Sequence, residues 1–524
     1  MVKIKIILTL VFLALAYINY RHLNIGFLSL YSIDEYAFHG SLVYMYDGLT
    51  SLDIKKLFYF RFYSYGFGFF FINLIATAPF FAVNNIEMTI YIPRIITSLF
   101  AVGSVWFVYK TARLYSTKYI SILIALIILT MPGFYRNALW FHPDWMMTFF
   151  VVLSVYLFAK DDWNFKKYFW WATAAFGFSL ATKIQAITFI PFVFLYIFYD
   201  SFKYKTFKGL KQKIKLFFKS IGIALSIFII ANPYLIHPSG LKAFTLSFVA
   251  NMKSNAENHG VDVEVTISDK LLNVIDFYYM EVALFIIILA LAIYISFTIF
   301  KKSSKKSILP LISIYFIVNI AYLFFIVNKD WQHYYLTIFT LIPLILMYVT
   351  NRFNKYNYLI LGIFIALQVS LHIPEYRLLL NPIIELSKEE RLKISNDLNS
   401  VLEPFVTSDT NILISAYQPF DFRSIGLVYE NVHLVSEEIL EDMFVLEVYL
   451  KKPMAEDRPK FKQKDFIVLS KNSIYFKEGA KDKRVDKKGY EESLKIIKNF
   501  NNGGSLGYEK FKETRYFYIW KKKK

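Results

Sequence analysis

The 524-residue chain contains no cysteine. This absence excludes disulfide bonds, thiolate nucleophiles and metal sites built on cysteine. Acidic residues are scarce beside basic ones, 40 against 59, so the formal net charge is +19. A nucleic-acid ligand would explain such a charge, but the lysines cluster in short stretches between long apolar blocks, where they act as signals of membrane orientation. We therefore expect no nucleic-acid partner.

The apolar content is high and is arranged in long blocks. Hydrophobic residues make up 56% of the chain and aromatic residues 19%. Since a spanning helix needs about 20 mostly apolar residues, this pattern predicts a polytopic α-helical membrane protein. The predicted crossings number eleven and lie near residues 4–20, 90–109, 119–135, 145–159, 168–182, 184–199, 217–236, 281–300, 308–327, 334–350 and 357–373.

Charge distribution predicts the orientation of these crossings. Lys3 and Lys5 precede the first apolar run, and no small-residue cleavage site follows it, which predicts an uncleaved first helix with a cytoplasmic start. Basic stretches then recur on that same side, at residues 110–118, 160–167, 203–219, 301–306 and 352–355. If the apolar run 66–81 crossed the membrane, every later basic loop would lie on the opposite side from the N-terminus. We therefore predict that it is an amphipathic or re-entrant helix of the first outer loop.

With this topology, the chemically suggestive residues fall on the outer face. An acidic pair at a membrane surface is a candidate functional site, because ionised groups near hydrocarbon are unfavourable unless solvated or paired. The candidates on this face are Asp34, Glu35, Arg61, His142, Asp144, Lys183, Lys329, His333 and Tyr334.

Each later candidate also has a plainer interpretation. Asp144 follows a proline and would serve as a helix N-cap. Lys183 lies between two apolar runs, as a lysine does when it extends its amine to the interface. Lys329 and His333 would fit an ordinary hydrated loop, and Tyr334, with Tyr335, an interfacial aromatic belt.

Several short motifs follow one another along the first 350 residues or so. They are Asp34-Glu35 with His39 and Gly48, Phe60-Arg-Phe-Tyr-Ser-Tyr-Gly66, Ile92-Pro-Arg94, His142-Pro-Asp144, Gly177-Phe-Ser-Leu-Ala-Thr-Lys183 and His333-Tyr-Tyr-Leu-Thr-Ile-Phe-Thr-Leu-Ile-Pro343. Their order and topology, which are more specific than any one motif, resemble those of the C-type glycosyltransferase superfamily, in particular protein O-mannosyltransferases and the bacterial aminoarabinose transferase that modifies lipid A.

The resemblance implies transfer of one sugar from a polyprenyl-phosphate carrier to a protein, lipid or glycan acceptor on the extracytoplasmic side, with inversion at the anomeric carbon. Such a reaction needs a general base, for which we choose Asp34, with Glu35 or Asp144 orienting the acceptor or steadying positive charge on the sugar. Cations must stabilise the departing phosphate.

The residues expected to bind substrate are His39, Arg61, His142, Lys183, Lys329, His333 and Tyr334. No cofactor is required; a divalent cation would fit where two acids converge, but no ligand spacing demands one.

After residue 373 the apolar runs become short. Residues 374–524 are predicted to form a small soluble α/β domain, placed outside the cytoplasm by the odd number of crossings. Strands are expected at 411–415, 466–469 and 515–520, and helices at 387–402 and 490–500. No nucleophile elbow, phosphate loop or metal motif occurs there, so we assign this domain acceptor recognition or a lid role.

A rival hypothesis is a transporter or flippase of lipid-linked glycans, and a third is a non-catalytic subunit of polysaccharide assembly. Intramembrane charges would mark a translocation path, but here the charges lie in loops on one face and no inverted repeat is evident. We therefore favour an integral membrane enzyme of a prokaryotic cell envelope.

Overall fold

Long apolar blocks alternate with short polar stretches along the first 380 residues, and helices occupy the apolar blocks. The computed structural model describes residues 2–21, 33–58, 60, 62–83, 85–206, 209–257, 265–278, 282–301, 306–352, 356–380, 388–407, 410, 412–415, 432–435, 465–471 and 508–523. The α-helices are α1 Val2–Arg21, α2 Ile33–Thr50, α3 Ile54–Leu57, α4 Phe67–Ala82, α5 Ile86–Tyr115, α6 Lys118–Leu129, α7 Pro132–Ala138, α8 Asp144–Asp161, α9 Lys167–Thr182, α10 Ile190–Tyr204, α11 Leu210–Ala231, α12 Pro238–Glu257, α13 Ile267–Phe277, α14 Val282–Phe297, α15 Leu309–Phe325, α16 Leu336–Leu341, α17 Pro343–Arg352, α18 Asn357–Leu371, α19 Ile373–Leu380 and α20 Lys388–Leu402. Short 3-10 turns lie at Ile184–Phe189, Pro233–Ile236, Thr298–Phe300, Gln332–Tyr335 and Glu403–Phe405.

Each of the eleven predicted crossing segments contains a helix. Within the described residues, five helical segments are long and apolar enough to cross a membrane: Val2–Arg21, Glu87–Tyr115, Ile184–Tyr204, Leu210–Ala231 and Gln332–Asn351. A sixth candidate is the pair α6 and α7, which is bent by 66°. The bend lies where Pro132 begins α7, since proline interrupts a continuing helix. The chain is therefore an integral membrane protein, while the number eleven stays a prediction.

The helical hairpin α8–α9 brings two candidate residues to one end of the bundle. The two helices pack against each other and are joined by a short connection, so they run antiparallel. The carboxylate of Asp161 organises that connection, because it accepts hydrogen bonds from the backbone N–H groups of Phe165, Lys166 and Phe169. The opposite end of the hairpin joins the first residue of α8, Asp144, to the residue after α9, Lys183.

The described chain divides into two compact units. One comprises Met1–Tyr20, Phe38–Gly260 and Glu264–Pro382, and the other Arg21–Ala37, Val261–Val263 and Ile383–Lys524. The helix α19 belongs to the first unit, and the candidate residues from His39 to Tyr334 that the structure describes belong to it as well.

The second unit contains a five-stranded mixed sheet. Its strands are β1 Ile412–Ser415, β2 Val432–Val435, β3 Phe466–Ser470, β4 Tyr508–Glu513 and β5 Phe517–Lys522, in the order β2-β1-β3-β5-β4. The first three strands in this order are parallel, and β5 pairs antiparallel with both β3 and β4. Three predicted strands and the helix α20 are confirmed; the helix expected at 490–500 lies outside the described residues.

Candidate active site

Asp144 and Lys183 form a buried ion pair. The ammonium of Lys183 donates a hydrogen bond to Oδ1 of Asp144 at 2.8 Å, and the two side chains are 6% and 1% exposed. Helix α8 has Pro143 as its N-cap, without a side-chain hydrogen bond, so the N-cap interpretation of Asp144 is wrong. The interface interpretation of Lys183 is wrong too, because its amine is buried against a carboxylate.

Two histidines complete a polar cluster with this pair. Nδ1 of His142 contacts the other oxygen of Asp144, Oδ2. The rings of His142 and His333 lie 4.9 Å apart between centroids, and Trp140 stacks on His142 at 4.1 Å with only 5° between the planes. We call His142, Asp144, Lys183 and His333 the polar cluster.

A short backbone bridge holds Lys183 in place. Helix α9 ends at Thr182, and Lys183 continues in an extended conformation that pairs antiparallel with Tyr65. The N–H of Gly66 donates to the carbonyl of Thr182 at 2.8 Å. A Cβ atom at Gly66 would lie 1.3 Å from the carbonyl oxygen of Ala181, so only glycine permits this approach.

Two aromatic rings face the ammonium of Lys183. The ring centroids of Tyr65 and Tyr334 lie 5.4 Å and 5.1 Å from Nζ, within the range of cation–π attraction. The hydroxyl of Tyr334 donates to Oδ1 of Asn255 at 3.2 Å, and Gln185 donates to the Tyr334 carbonyl at 3.3 Å. Lys183 is thus a preorganised cation rather than a mobile surface one.

The segment that carries Lys329 and His333 is also buried. Lys329 is 2% exposed, and its amine lies 4.4 Å from the ring centroid of Trp331. His333 is 6% exposed. The interpretation of these residues as an ordinary hydrated loop is therefore wrong, and the same holds for Tyr335 as a belt residue, since its side chain is buried.

A buried lysine in α13 holds the start of this segment. Nζ of Lys270 donates to the carbonyl groups of Leu323, Phe324 and Val327, which lie at and beyond the last turn of α15. These oxygens would otherwise lack helical partners. Burial lowers the pKa of Lys270, and Asp330 opposes that shift.

Helix α2 carries the remaining candidates. Asp34 belongs to its first turn, and the side chain of Glu35 is buried. Nε2 of His39 lies 2.9 Å from the hydroxyl of Thr89, and burial lowers the pKa of His39 to about 4, so this imidazole is neutral near pH 7. Arg61 lies outside the described residues, as does the side chain of Asp34.

An apolar cavity is lined in part by residues that neighbour Asp144 and Lys183 in the sequence. Its volume is about 480 Å³, and its walls come mainly from α4, α8, α9 and α11. Met146 lies in its wall two residues after Asp144, and Ala181 and Thr182 lie in its wall directly before Lys183. Aromatic rings from Phe67, Phe71, Phe150 and Phe178 line most of the rest. Helices α8 and α9, which position Asp144 and Lys183, thus also supply part of the cavity wall.

The structure groups some of the predicted residues and adds others. It brings together His142, Asp144, Lys183, His333 and Tyr334. Sequence reasoning assigned no role to Trp140, Asn232 and Lys270, and it quoted Tyr65 and Gly66 only as part of a motif. Asn232 accepts from the N–H of Phe67 at 2.7 Å, and its position between an apolar block and a proline was the signal that could have found it.

Comparison with known proteins gives one family match and a shared fold. The family pattern described as dolichyl-phosphate-mannose-protein mannosyltransferase matches residues 68–237. The fold is similar to that of ArnT from Cupriavidus metallidurans bound to undecaprenyl phosphate, with a TM-score of 0.55 and 10% identity over 98% of this chain and 97% of that one. It is also similar to AglB from Archaeoglobus fulgidus in complex with an inhibitory peptide and a dolichol-phosphate, with a TM-score of 0.53 and 14% identity over 98% and 74%. No curated protein sequence matches this chain. Pattern and fold confirm the resemblance to the C-type glycosyltransferase superfamily.

Proposed function

We propose that this protein is a membrane glycosyltransferase that moves a sugar from a polyprenyl-phosphate carrier to an acceptor on the extracytoplasmic face. The observation that carries the proposal is that the hairpin α8–α9 holds the ion pair of Asp144 and Lys183 at one end and supplies Met146, Ala181 and Thr182 to the wall of the apolar cavity. A lipid-linked sugar has the same two-part chemistry, a polar phosphosugar joined to an isoprenoid chain. A buried cation that directly follows two wall residues of an aromatic-lined cavity suits both parts.

The reaction assigns a role to each candidate. The acceptor oxygen attacks the anomeric carbon from the face opposite the phosphate, the carbon–oxygen bond to phosphate breaks, and the configuration inverts. Asp34 takes the acceptor proton, a step worth about 10²–10⁴ in rate. Lys183, with Lys329 and Arg61, stabilises the departing phosphate, because fixed cations are most effective in a site that excludes water.

The geometry narrows the role of Asp144. Its two oxygens contact Lys183 and His142, so its carboxylate is already engaged. We therefore assign Asp144 the positioning of Lys183, and leave proton removal to Asp34 with Glu35 orienting the acceptor. His39, as a neutral imidazole, serves as a hydrogen-bonding group rather than as a phosphate cation.

The relatives support the nature of the donor. The two similar structures contain undecaprenyl phosphate and dolichol-phosphate as bound lipids, and the matched family is described by dolichyl-phosphate-mannose. We extend a lipid-phosphate donor to this chain on that basis. The acceptor, whether protein, lipid or glycan, would reach the site from the extracytoplasmic side, and we assign the sheet-containing unit acceptor recognition or a lid role.

Replacing the proposed base tests this function. Asp34→Asn keeps the size of the side chain but cannot accept the proton, so we expect transfer to fall by about 10²-fold or more. The measurement uses lipid-linked sugars extracted from a host that lacks this chain, supplied to vesicles that contain the purified protein.

The matched control is Asp47→Asn, the same change in the same helix at an exposed carboxylate paired with Lys56. It should leave transfer unchanged. Normal transfer by Asp34→Asn would show that Asp34 is not the base. If the wild-type protein moves the lipid-linked sugar across the vesicle membrane but transfers no sugar, a flippase would be favoured.

A further inference from the structure

We propose that Asn232 is a positioning residue that fixes the Lys183 cation relative to the apolar cavity. The inference rests on the proposed function, in which the cation stabilises the carrier phosphate and the cavity holds the isoprenoid. Asn232 lies between the end of α11 and Pro233, and it is 1% exposed. An amide buried to this degree is unfavourable unless its hydrogen bonds are satisfied.

The Asn232 amide makes a hydrogen bond at each of three helix ends. Its Oδ1 accepts from the backbone N–H of Phe67, the first residue of α4, at 2.7 Å. Its Nδ2 donates to the carbonyl of Phe228, in the last turn of α11, at 2.9 Å, and to that of Ala181, in the last turn of α9, at 3.4 Å. One side chain thus satisfies, in each of three helices, a backbone group that has no partner within its own helix.

The partners also fix the direction of the amide. A backbone N–H can only donate and a carbonyl can only accept, so the oxygen of Asn232 must face α4 and its nitrogen the ends of α9 and α11. A leucine of similar size would fill the same space but would hold none of the three ends. The amide is therefore suited to fixing positions rather than to packing.

The bond to α9 acts on Lys183 through a short stretch of backbone. Ala181 is followed by Thr182, whose carbonyl accepts from the N–H of Gly66 at 2.8 Å, and then by Lys183. The Ala181 carbonyl that Asn232 holds is also the group that a Cβ atom at Gly66 would meet. The placement of Lys183 therefore depends on the end of α9 and the start of α4, and the same amide holds both.

The amide also joins parts of the cavity wall. Phe67 and Ala181, which it contacts, line the cavity, and so do Ala231 and Pro233 on either side of Asn232. A carrier that bears a phosphate and an isoprenoid gains from binding both parts at once only if the protein holds the two sites at a matching separation. Asn232 sets that separation, so its loss should affect a lipid with both parts more than a lipid with the chain alone.

Two lipids test this role on the purified full-length protein. Undecaprenyl phosphate has both parts, whereas undecaprenol lacks the phosphate, and the affinity of each is measured by equilibrium binding in detergent. We expect wild-type protein to bind the phosphate more tightly than the alcohol. Asn232→Leu should weaken binding of undecaprenyl phosphate by about tenfold or more, and binding of undecaprenol by less than about twofold.

The matched control is Asn319→Leu. Asn319 is buried in α15 and donates to the carbonyl of Tyr315 at 2.9 Å, so this hydrogen bond stays within one helix. Its loss should leave both affinities unchanged, which separates positioning from the general effect of removing a buried amide. Asn232→Ser keeps a hydroxyl group, and it should shift the affinities in the same direction as Asn232→Leu but less; it supplies the comparison if the leucine variant does not fold.

Equal weakening of both lipids by folded Asn232→Leu, or no weakening of either, would overturn the positioning role alone. Wild-type protein that binds undecaprenyl phosphate no more tightly than undecaprenol would overturn the donor of the proposed function, and this inference with it. The two failures are therefore distinguished by which protein shows them, the variant or the wild type.

Discussion

Lys183 and Lys270 are both buried in the helical unit, yet their surroundings differ in kind. Lys183 pairs with the carboxylate of Asp144, faces two tyrosine rings and directly follows Ala181 and Thr182, which line an apolar cavity. Lys270 donates to three backbone carbonyls at the end of α15. Burial of a lysine therefore does not by itself mark a functional site. The partners of the lysine distinguish a structural role from a functional one. Carbonyl groups that need a donor indicate a structural role, whereas an ion-paired lysine next to residues that line a cavity indicates a site that binds a ligand.

Of the substitutions that test this difference between the two lysines, removal of the Lys183 charge should have the largest effect on sugar transfer. Lys183→Met keeps the length of the side chain but removes the cation that would stabilise the departing phosphate. We expect transfer to fall by about 10²–10³-fold, the usual effect of losing one preorganised donor in an active site. The measurement is the transfer rate in vesicles at saturating carrier.

Stability must be separated from chemistry in that experiment, because Lys183→Met leaves Asp144 as an unpaired buried charge. Loss of one partner of such a pair is destabilising by about 3–5 kcal/mol. The double variant Lys183→Met with Asp144→Asn removes the stranded charge, so its thermal stability should recover while transfer does not. Recovery of transfer together with stability would mean that Lys183 is only structural.

Removing the Lys270 charge should have the opposite profile. Lys270→Met leaves three buried carbonyls without their donor, and an unsatisfied buried group is destabilising by about 1–3 kcal/mol. We expect a lower unfolding temperature, with transfer per folded molecule within about threefold of wild type because Lys270 touches no proposed substrate group.

The matched control is Lys242→Met, at an exposed lysine of α12. It should change neither stability nor transfer, while Lys270→Arg should restore much of the stability by keeping a donor. A large fall in transfer by stably folded Lys270→Met would place both lysines in the same functional class.

The elements of the fold were predictable because they depend on local pattern. Apolar length and alternating loop charge located a helix in every predicted crossing segment. Alternation of apolar and polar residues located β1, β3 and β5. The short strands β2 and β4 were missed: Val432–Val435 offers only four residues, and Tyr508–Glu513 carries charges at most of its positions.

The contacts that build the site were not predictable, because they join distant segments. Nothing near Lys183 in the sequence indicates that Asp144 and Tyr65 lie beside it. Lys270 follows a serine and an aspartate in an amphipathic helix, a pattern that favours an exposed side chain. The buried partners of each lysine depend on how helices pack, and one sequence does not encode that packing in its local pattern.

The smallest expected effect on sugar transfer comes from a substitution in the apolar cavity. Gly68 lines it, and a Cβ atom there would meet Ala231 at ordinary distances of 3.6 Å and 3.9 Å, so a larger side chain can enter without a backbone clash. Gly68→Leu should fill part of the space proposed for the isoprenoid. Since a change of one or a few methylene groups in such a pocket is worth about 1–3 kcal/mol, we expect KM for the carrier to rise about tenfold with little change in kcat.

Gly222→Leu is the matched control, because no atom lies within 4 Å of a Cβ at that position. Both variants gain helix propensity from the loss of a glycine, so stability should not fall in either. The comparison becomes sharper if carriers of different length are used: a short-chain carrier, which fills less of the cavity, should be affected less by Gly68→Leu than a long one. Equal effects on both carriers would mean that the cavity does not hold the lipid chain. Lys183 would then be a buried cation whose function does not involve the cavity.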